Sequence, residues 1–351
     1  MVKVLVIKPS SLGDIIHSAA AVEAIARSRP DCRVSWLVNE EYAEFVRELP
    51  GVFDVLPFPR GRFRRHGFPF WLPRAASWLW SLRGDFDVAV DLQGLQRSAL
   101  MARVSGARER FGPRNARELA WMHYNRPVDV PAELRHAVDR VNHVAREVLA
   151  RSECLVSDGV RAAAPRQDYR LPVPAAARSA AQARLGNSSG PLLALCPGAR
   201  WSSKLWPEER WVELLRGLRE RHGEIEPVFL GTPGEAAAID EILRRSAVPG
   251  RSLAGRIDLW QTAAVLESAA AAVTLDSAPL HLAAAVGTPT VALFGPTDPR
   301  RVAPRSPEHT VLRPDLDCLG CYERHCPLER RVCVPDVEAA DVLEALERVL
   351  P

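Results

Sequence analysis

A carboxylate at a helix start, a rare lysine in a loop and two hydroxyl-bearing turns are the residues best suited to chemistry. Ser10-Ser11-Leu12-Gly13-Asp14 follows a run rich in Val, Leu and Ile and precedes a helical pattern. The helix dipole there favours the charged form of Asp14. It reads either as an N-terminal cap or as a general base. Lys204 sits in the loop 197–206 and is one of three lysines, with Lys3 and Lys8, among 46 basic residues. A compact ammonium group suits a phosphate, and a solvated surface lysine is the plainer reading. Asp276-Ser277-Ala278-Pro279-Leu280-His281 opens a helix directly after a strand, so free backbone amides there form an anion site. Ser277 would cap that helix or touch a phosphate. His281 follows one turn later on the same side, as a structural residue or a ligand. Gly295-Pro296-Thr297-Asp298 adds a glycine and a hydroxyl, further donors for a diphosphate.

The elements that must hold these loops can be read from periodicity. Strands are expected at 2–7, 34–38 and 87–91, with a helix over 15–28. A linker at 171–177 separates a second such pattern, with strands at 192–196, 227–230, 271–275 and 290–294. Helices are expected there at 207–222, 278–286 and 337–349. Strands alternating with helices predict a doubly wound parallel sheet, here twice: an α/β chain of two facing Rossmann-like domains with a cleft between them. The expected domains are 1–170 and 171–336, with the tail 337–351 packing back on the first. Ligands gather beyond the carboxyl ends of such strands. The phosphate-type loops fall in the second half and the isolated carboxylate in the first. A nucleotide donor on the second domain and an acceptor on the first would follow.

Composition narrows the class. The chain has 351 residues, 47% apolar and 25% charged, the balance of a soluble globular protein of two domains. A net charge of +3 gives no chain-wide nucleic-acid surface. Lys8 and Asp14 interrupt the N-terminal apolar run, so it is not a signal peptide, and no uncharged apolar run reaches membrane-spanning length. Seven cysteines, an odd number, suit a reduced cytoplasmic setting. Four of them, Cys318, Cys321, Cys326 and Cys333, form a cluster that reads as a structural zinc or iron–sulfur site or as a loop with free thiols. The even totals hide a local excess. Between Asp54 and Asp85 there is no acid, but Arg60, Arg62, Arg64, Arg65, Arg74 and Arg83 alternate with seven Phe and Trp side chains.

Read in order, several segments resemble the lipopolysaccharide heptosyltransferases, the ADP-heptose glycosyltransferases of family 9, over nearly the whole chain. They are Lys8 to His17, Asp91-Leu92-Gln93-Gly94, Tyr124-Asn125-Arg126, Lys204 to Trp211, Asp276-Ser277 with His281, and Phe294 to Pro299. Heptosyltransferase I is nearest in pattern, and the cysteine cluster leans towards heptosyltransferase II. The resemblance implies a GT-B fold and an inverting transfer of heptose from ADP-heptose to the inner core of lipopolysaccharide. It implies that Asp14 is the catalytic base and that Lys204 meets the donor phosphates. Ser10, Ser11, Gly13, Glu235, Asp276, Ser277, Ala278, His281, Gly295 and Thr297 would complete the donor site. The family's Asp-Thr-Gly-Leu-x-His reads Asp276-Ser277-Ala278-Pro279-Leu280-His281 here: the hydroxyl is kept, and a methyl replaces a hydrogen at Ala278. No Asp-x-Asp motif stands in a suitable loop, so fixed cations and no required cofactor or metal are expected. The implied acceptor, Kdo-bearing lipid A, is anionic and lies at a membrane. Arg60, Arg62, Arg64, Arg65, Gln93, Arg117 and Arg126 are its candidate contacts, and 58–80 is read as a mobile acceptor-docking loop touching the membrane. A monomer on the cytoplasmic face of the inner membrane is expected. The alternatives are a family member with another acceptor position or sugar nucleotide, a GT-B sugar-nucleotide epimerase, and an envelope-assembly protein that binds a nucleotide sugar without turnover.

Overall fold

The computed structural model describes residues 1–61, 71–84, 86–156, 164–166, 169–186, 190–328 and 333–350. The chain divides into two compact units, Met1–Tyr169 and Arg170–Pro351.

The first unit is a six-stranded parallel sheet. Its strands are β1 (Val2–Ile7), β2 (Cys32–Asn39), β3 (Val52–Phe58), β4 (Val88–Asp91), β5 (Glu109–Pro113) and β6 (Arg126–Val128), in the order β3-β2-β1-β4-β5-β6. Val4, Leu5, Val6 and Ile7 are fully buried, as a central parallel strand covered on both faces requires. Among the described residues the helices that lie on it are α1 (Leu12–Ala26), α2 (Ala43–Arg47), α3 (Trp71–Ser81), α4 (Gln96–Val104) and α5 (Ala137–Arg151). α1 packs on α5. On the opposite face, Leu5, Ile7 and Leu37 meet Met101 and Ala102 of α4, with Trp78 and Leu79 of α3 beside them. After β1 the chain moves to β2 on one side and later returns to β4 on the other. This switch point brings the end of β1 level with the end of β4, Ile7 pairing with Asp91.

The second unit repeats the plan. Its strands are β7 (Leu192–Cys196), β8 (Glu226–Phe229), β9 (Arg251–Ser252), β10 (Ala271–Leu275), β11 (Thr290–Leu293) and β12 (His309–Leu312), all parallel in the order β12-β11-β10-β7-β8-β9. Its helices are α6 (Ala175–Leu185), α7 (Glu208–Arg221), α8 (Ala236–Ser246), α9 (Leu259–Ser268), α10 (Ala278–Val286), α11 (Pro299–Val302) and α12 (Ala339–Glu347). The strand ends of β11, β10, β7 and β8 stand in one row, so the loops that follow them are neighbours.

Three expectations are corrected. The final helix α12 was expected on the first half, but Val342, Leu343 and Leu346 are buried in the core of the second, against α7. The linker at 171–177 is cut short, because α6 begins at Ala175 behind Pro174, and alanine is the best helix former. The segment 58–80 is not one loop. Its last part is α3, anchored by the Phe58 and Trp78 rings, whose centroids are 4.8 Å apart.

Candidate active site

In the first unit the site is built on the turn after β1. Asp14 is the third residue of α1, and its carboxylate reaches back to the start of the helix. Oδ2 accepts from the Ser11 N–H at 2.9 Å and from the Ser11 hydroxyl at 2.8 Å. Oδ1 lies 3.7 Å from Lys8 Nζ. The cap reading is therefore true of one oxygen, and the other remains for chemistry. Burial opposes the charge, but Lys8, the two Ser11 donors and His17 outweigh it and hold the carboxyl below the usual aspartate range.

Lys8 was not singled out as a site residue, yet its ammonium faces the second oxygen of this carboxylate at 3.7 Å. It is 6% exposed, and its ammonium donates to Leu92 O at 3.0 Å. Leu92 is itself fixed by Asp91, which is fully buried. The Asp91 carboxylate accepts from Tyr124 Oη at 2.6 Å, Ser98 Oγ at 2.8 Å, Gln93 N at 2.8 Å and Gly94 N at 3.1 Å. Burial pushes its pKa up against those four donors. The motifs Asp91–Gly94 and Tyr124–Arg126 thus meet in one knot, through Tyr124, beside the Leu92 carbonyl that holds Lys8. The available signal was the scarcity of lysine, together with the place of Lys8 at the end of the central strand.

Of the acceptor candidates, Gln93 joins this group, and its Oε1 is buried without a hydrogen-bond partner. Arg117 is exposed, and its N–H donates to Gly94 O at 3.2 Å, so it borders the same loop. Arg126 is spoken for differently: Glu153 and Glu109 hold its guanidinium, the latter at 3.4 Å. Arg60 is half-buried just after β3. Arg62, Arg64 and Arg65 lie outside the described residues.

In the second unit the candidate donor residues converge. Lys204, in a short 3-10 turn Ser202–Lys204 after β7, donates to Asp276 Oδ2 at 2.6 Å and to Asp276 O at 3.1 Å. It also lies 4.6 Å from the centre of the Trp201 ring. Thr297, after β11, donates its hydroxyl to the same Asp276 oxygen. Asp276 is 6% exposed, so it acts as the buried counter-ion of Lys204. Ser277 is the N-cap of α10 but makes no capping bond, and its hydroxyl is buried with no hydrogen-bond partner among the described residues. That donor and the Ala278 end of α10 make a place for an anion, beside the Lys204–Asp276 pair to which Thr297 is bonded. His281 is 9% exposed, one turn further along α10. Glu235 follows β8 and accepts from Thr232 N at 2.7 Å. Its carboxylate crosses to the β7 loop, where a Cβ on Gly198 would fall 2.0 Å from Oε1. A side chain larger than glycine at 198 would push Glu235 away.

The cysteines do not converge into a ligand set. Among the described residues no group of three or more His, Cys, Asp or Glu side chains could hold a metal ion. Cys318 and Cys321 are exposed, Cys326 is half-buried and Cys333 is buried.

Known proteins match this arrangement. The glycosyltransferase family 9 (heptosyltransferase) profile covers residues 77–331. Lipopolysaccharide heptosyltransferase 1 of Pseudomonas aeruginosa is 31% identical over 92% of this chain and 87% of its own length. Lipopolysaccharide heptosyltransferase 1 of Escherichia coli is 29% identical over 93% of this chain and 98% of its own. The solved structure of the E. coli heptosyltransferase WaaC with ADP superposes with a TM-score of 0.74 at 25% identity, covering 99% of both chains. The two six-stranded parallel sheets with flanking helices are those of the GT-B fold. The chain belongs to glycosyltransferase family 9, the heptosyltransferases, and is a glycosyltransferase.

Proposed function

We propose that this enzyme moves heptose from ADP-heptose to the inner core of lipopolysaccharide, inverting the anomeric centre, with Asp14 as base. The observation that carries the reading is the row of loops after β11, β10 and β7. There a half-buried lysine paired with Asp276, a serine hydroxyl with no partner among the described residues and a helix start are gathered for a diphosphate. The bound ADP named for the E. coli WaaC structure supports the donor, and the names of the heptosyltransferase 1 relatives support the acceptor class.

The chemistry follows from these groups. An acceptor hydroxyl attacks the anomeric carbon as the bond from that carbon to the β-phosphate oxygen breaks, and the sugar passes through an oxocarbenium-like state. The bonding pair leaves with ADP. Lys204, the Ser277 hydroxyl and the α10 amides meet the charge that grows on the diphosphate, with Thr297 holding Asp276 behind Lys204. The acceptor proton passes to Asp14. A carboxyl with a lowered pKa is a weak base, but the attacking oxygen becomes strongly acidic once it bonds to carbon. A weak, oriented base therefore suffices, and it is ionised at neutral pH. No step is assigned to a metal.

The arginines from Arg60 to Arg83 would serve the anionic acceptor. Trp80 is 62% exposed with the Arg83 guanidinium 3.3 Å from the centre of its ring, a pairing suited to a lipid headgroup region. No described helix is long and apolar enough to cross a membrane, and peripheral attachment at the inner face of the inner membrane is the proposed location. The decisive assay is transfer to Kdo2-lipid A with ADP-heptose against UDP-sugars. Turnover with ADP-heptose alone is expected, and preference for a UDP-sugar would overturn the assignment.

A further inference from the structure

We propose that residues 318–325, the cysteine-bearing segment after β12, form a positioning strap that sets the spacing of the two donor-phosphate loops. This rests on the donor reading given above. The segment bonds to both loops at once. On one side Ser203 Oγ donates to Glu323 O at 2.7 Å, Ser203 N to Arg324 O at 3.3 Å, and Ser202 Oγ to Arg324 O at 3.3 Å. Ser202 Oγ also lies 3.0 Å from His325 Nδ1. These bonds hold the turn that carries Lys204. On the other side Tyr322 N donates to Pro296 O at 2.7 Å, and Asp298 N donates to Tyr322 Oη at 3.3 Å. Those bonds flank Thr297.

Three further facts mark the strap as built rather than incidental. Tyr322 holds a φ of 60°, a left-handed conformation uncommon for any residue but glycine, Asn or Asp. That backbone shape directs both its N–H and its hydroxyl at one loop. Its ring also stacks under Arg301 of α11, 5.5 Å away. On the strap's other edge the Arg324 guanidinium lies 5.8 Å from the centre of the Trp201 ring, the ring that Lys204 also approaches. Beneath the strap, Cys333 and Val334 press on Gly295. A Cβ there would lie 2.8 Å from the Cys333 sulfur and 2.7 Å from Val334, so only glycine fits. The same sulfur lies 3.8 Å from Ser203 O. The cysteine segment, which catalysis itself does not use, is thus the shared neighbour of the lysine loop and the threonine loop. Tyr322 and Ser203 act through Lys204 and Thr297, and they are positioning residues.

Two variants test this, each touching one side only: Tyr322→Phe removes the acceptor of the Asp298 N–H, and Ser203→Ala removes the donor to Glu323. Amide hydrogen exchange is followed at 202–204 and 297–298 without nucleotide, and ADP affinity, donor KM, acceptor KM and kcat are then measured. Loss of one hydrogen bond corresponds to a change of about fivefold. Tyr322→Phe is expected to raise exchange about fivefold at 202–204, which it does not touch, as well as at 297–298. Ser203→Ala is expected to do the converse. Both should weaken ADP binding and raise donor KM about fivefold while acceptor KM stays unchanged. Exchange confined to the loop each variant touches would overturn the strap, as would coupled exchange with ADP affinity within twofold of a wild type that binds ADP. Coupled exchange in a wild type that binds no ADP would uphold the strap and defeat the nucleotide reading instead.

Discussion

Asp14 has one oxygen committed to Ser11 and one beside Lys8, and this division sets its pH behaviour. As the proposed base, Asp14 must be ionised to work, and its folded pKa lies below the ordinary aspartate value of about 3.9. Activity is therefore present above that pKa and lost as pH falls through it. The acid limb of kcat/KM is expected below about pH 4, with a flat profile from there to neutrality. A limb near the imidazole range, about pH 6.5, would move the role to a histidine such as His17. Asp14→Asn should lower kcat by about 10²- to 10⁴-fold, the usual worth of a general base, with ADP affinity unchanged by calorimetry. Lys8→Met removes the cation that offsets burial, so the acid limb should shift to higher pH in the same profile. An unmoved limb would detach Lys8 from Asp14.

At the level of elements, the turn after β4 is held by a carboxylate with four donors, and Tyr124 supplies the shortest bond. Tyr124→Phe should cost about 1.5–3 kcal/mol, the range for a hydrogen bond to a charged group, read from urea denaturation. How far such elements could be read from sequence depended on their surroundings. Ala271–Leu275 and the helix Ala278–Val286 were legible to the residue, because a continuous apolar run ends at Ser277 and Pro279 marks the helix start. β3, β5, β6, β9 and β12 were missed. Val52–Phe58 exposes Phe53 and Asp54 and contains Pro57, as an edge strand allows, and Arg126–Val128 is three residues long. Asp14 and Lys204 declared themselves by type and place. Their partners did not: Lys8 reaches Leu92 only because β1 lies beside β4, and Asp276 becomes a counter-ion of Lys204 only because β10 lies beside β7. Such juxtapositions are made by pairing residues more than 70 positions apart, which no local pattern records.

At the scale of the whole molecule, each unit carries its own sheet and core, and the proposed nucleotide residues other than those of the Ser10–Gly13 turn lie in the second. ADP at a hundred times its Kd would stabilise what it binds by about 2.7 kcal/mol. Slow-exchanging core amides of 170–351 are expected to gain protection on adding ADP, with those of 1–169 little changed. Equal gains in both would place the nucleotide differently. Charge reversal at Arg62 and Arg65 should raise acceptor KM and leave donor KM within twofold, and an equal effect on the donor would remove that segment from the acceptor role. The bond between Lys204 and Asp276 has a kinetic consequence as well. An unpaired ammonium would draw a dianionic donor from a distance, but this one is neutralised at 2.6 Å before any donor arrives. Its field beyond the site is that of a dipole, which falls off within the Debye length of about 8 Å at physiological salt. Donor capture should therefore change little between low and physiological ionic strength, and Asp276→Asn should make the association rate steeply salt-dependent. On the proposed reading, the charge of Lys204 would be held in reserve until the leaving diphosphate forms.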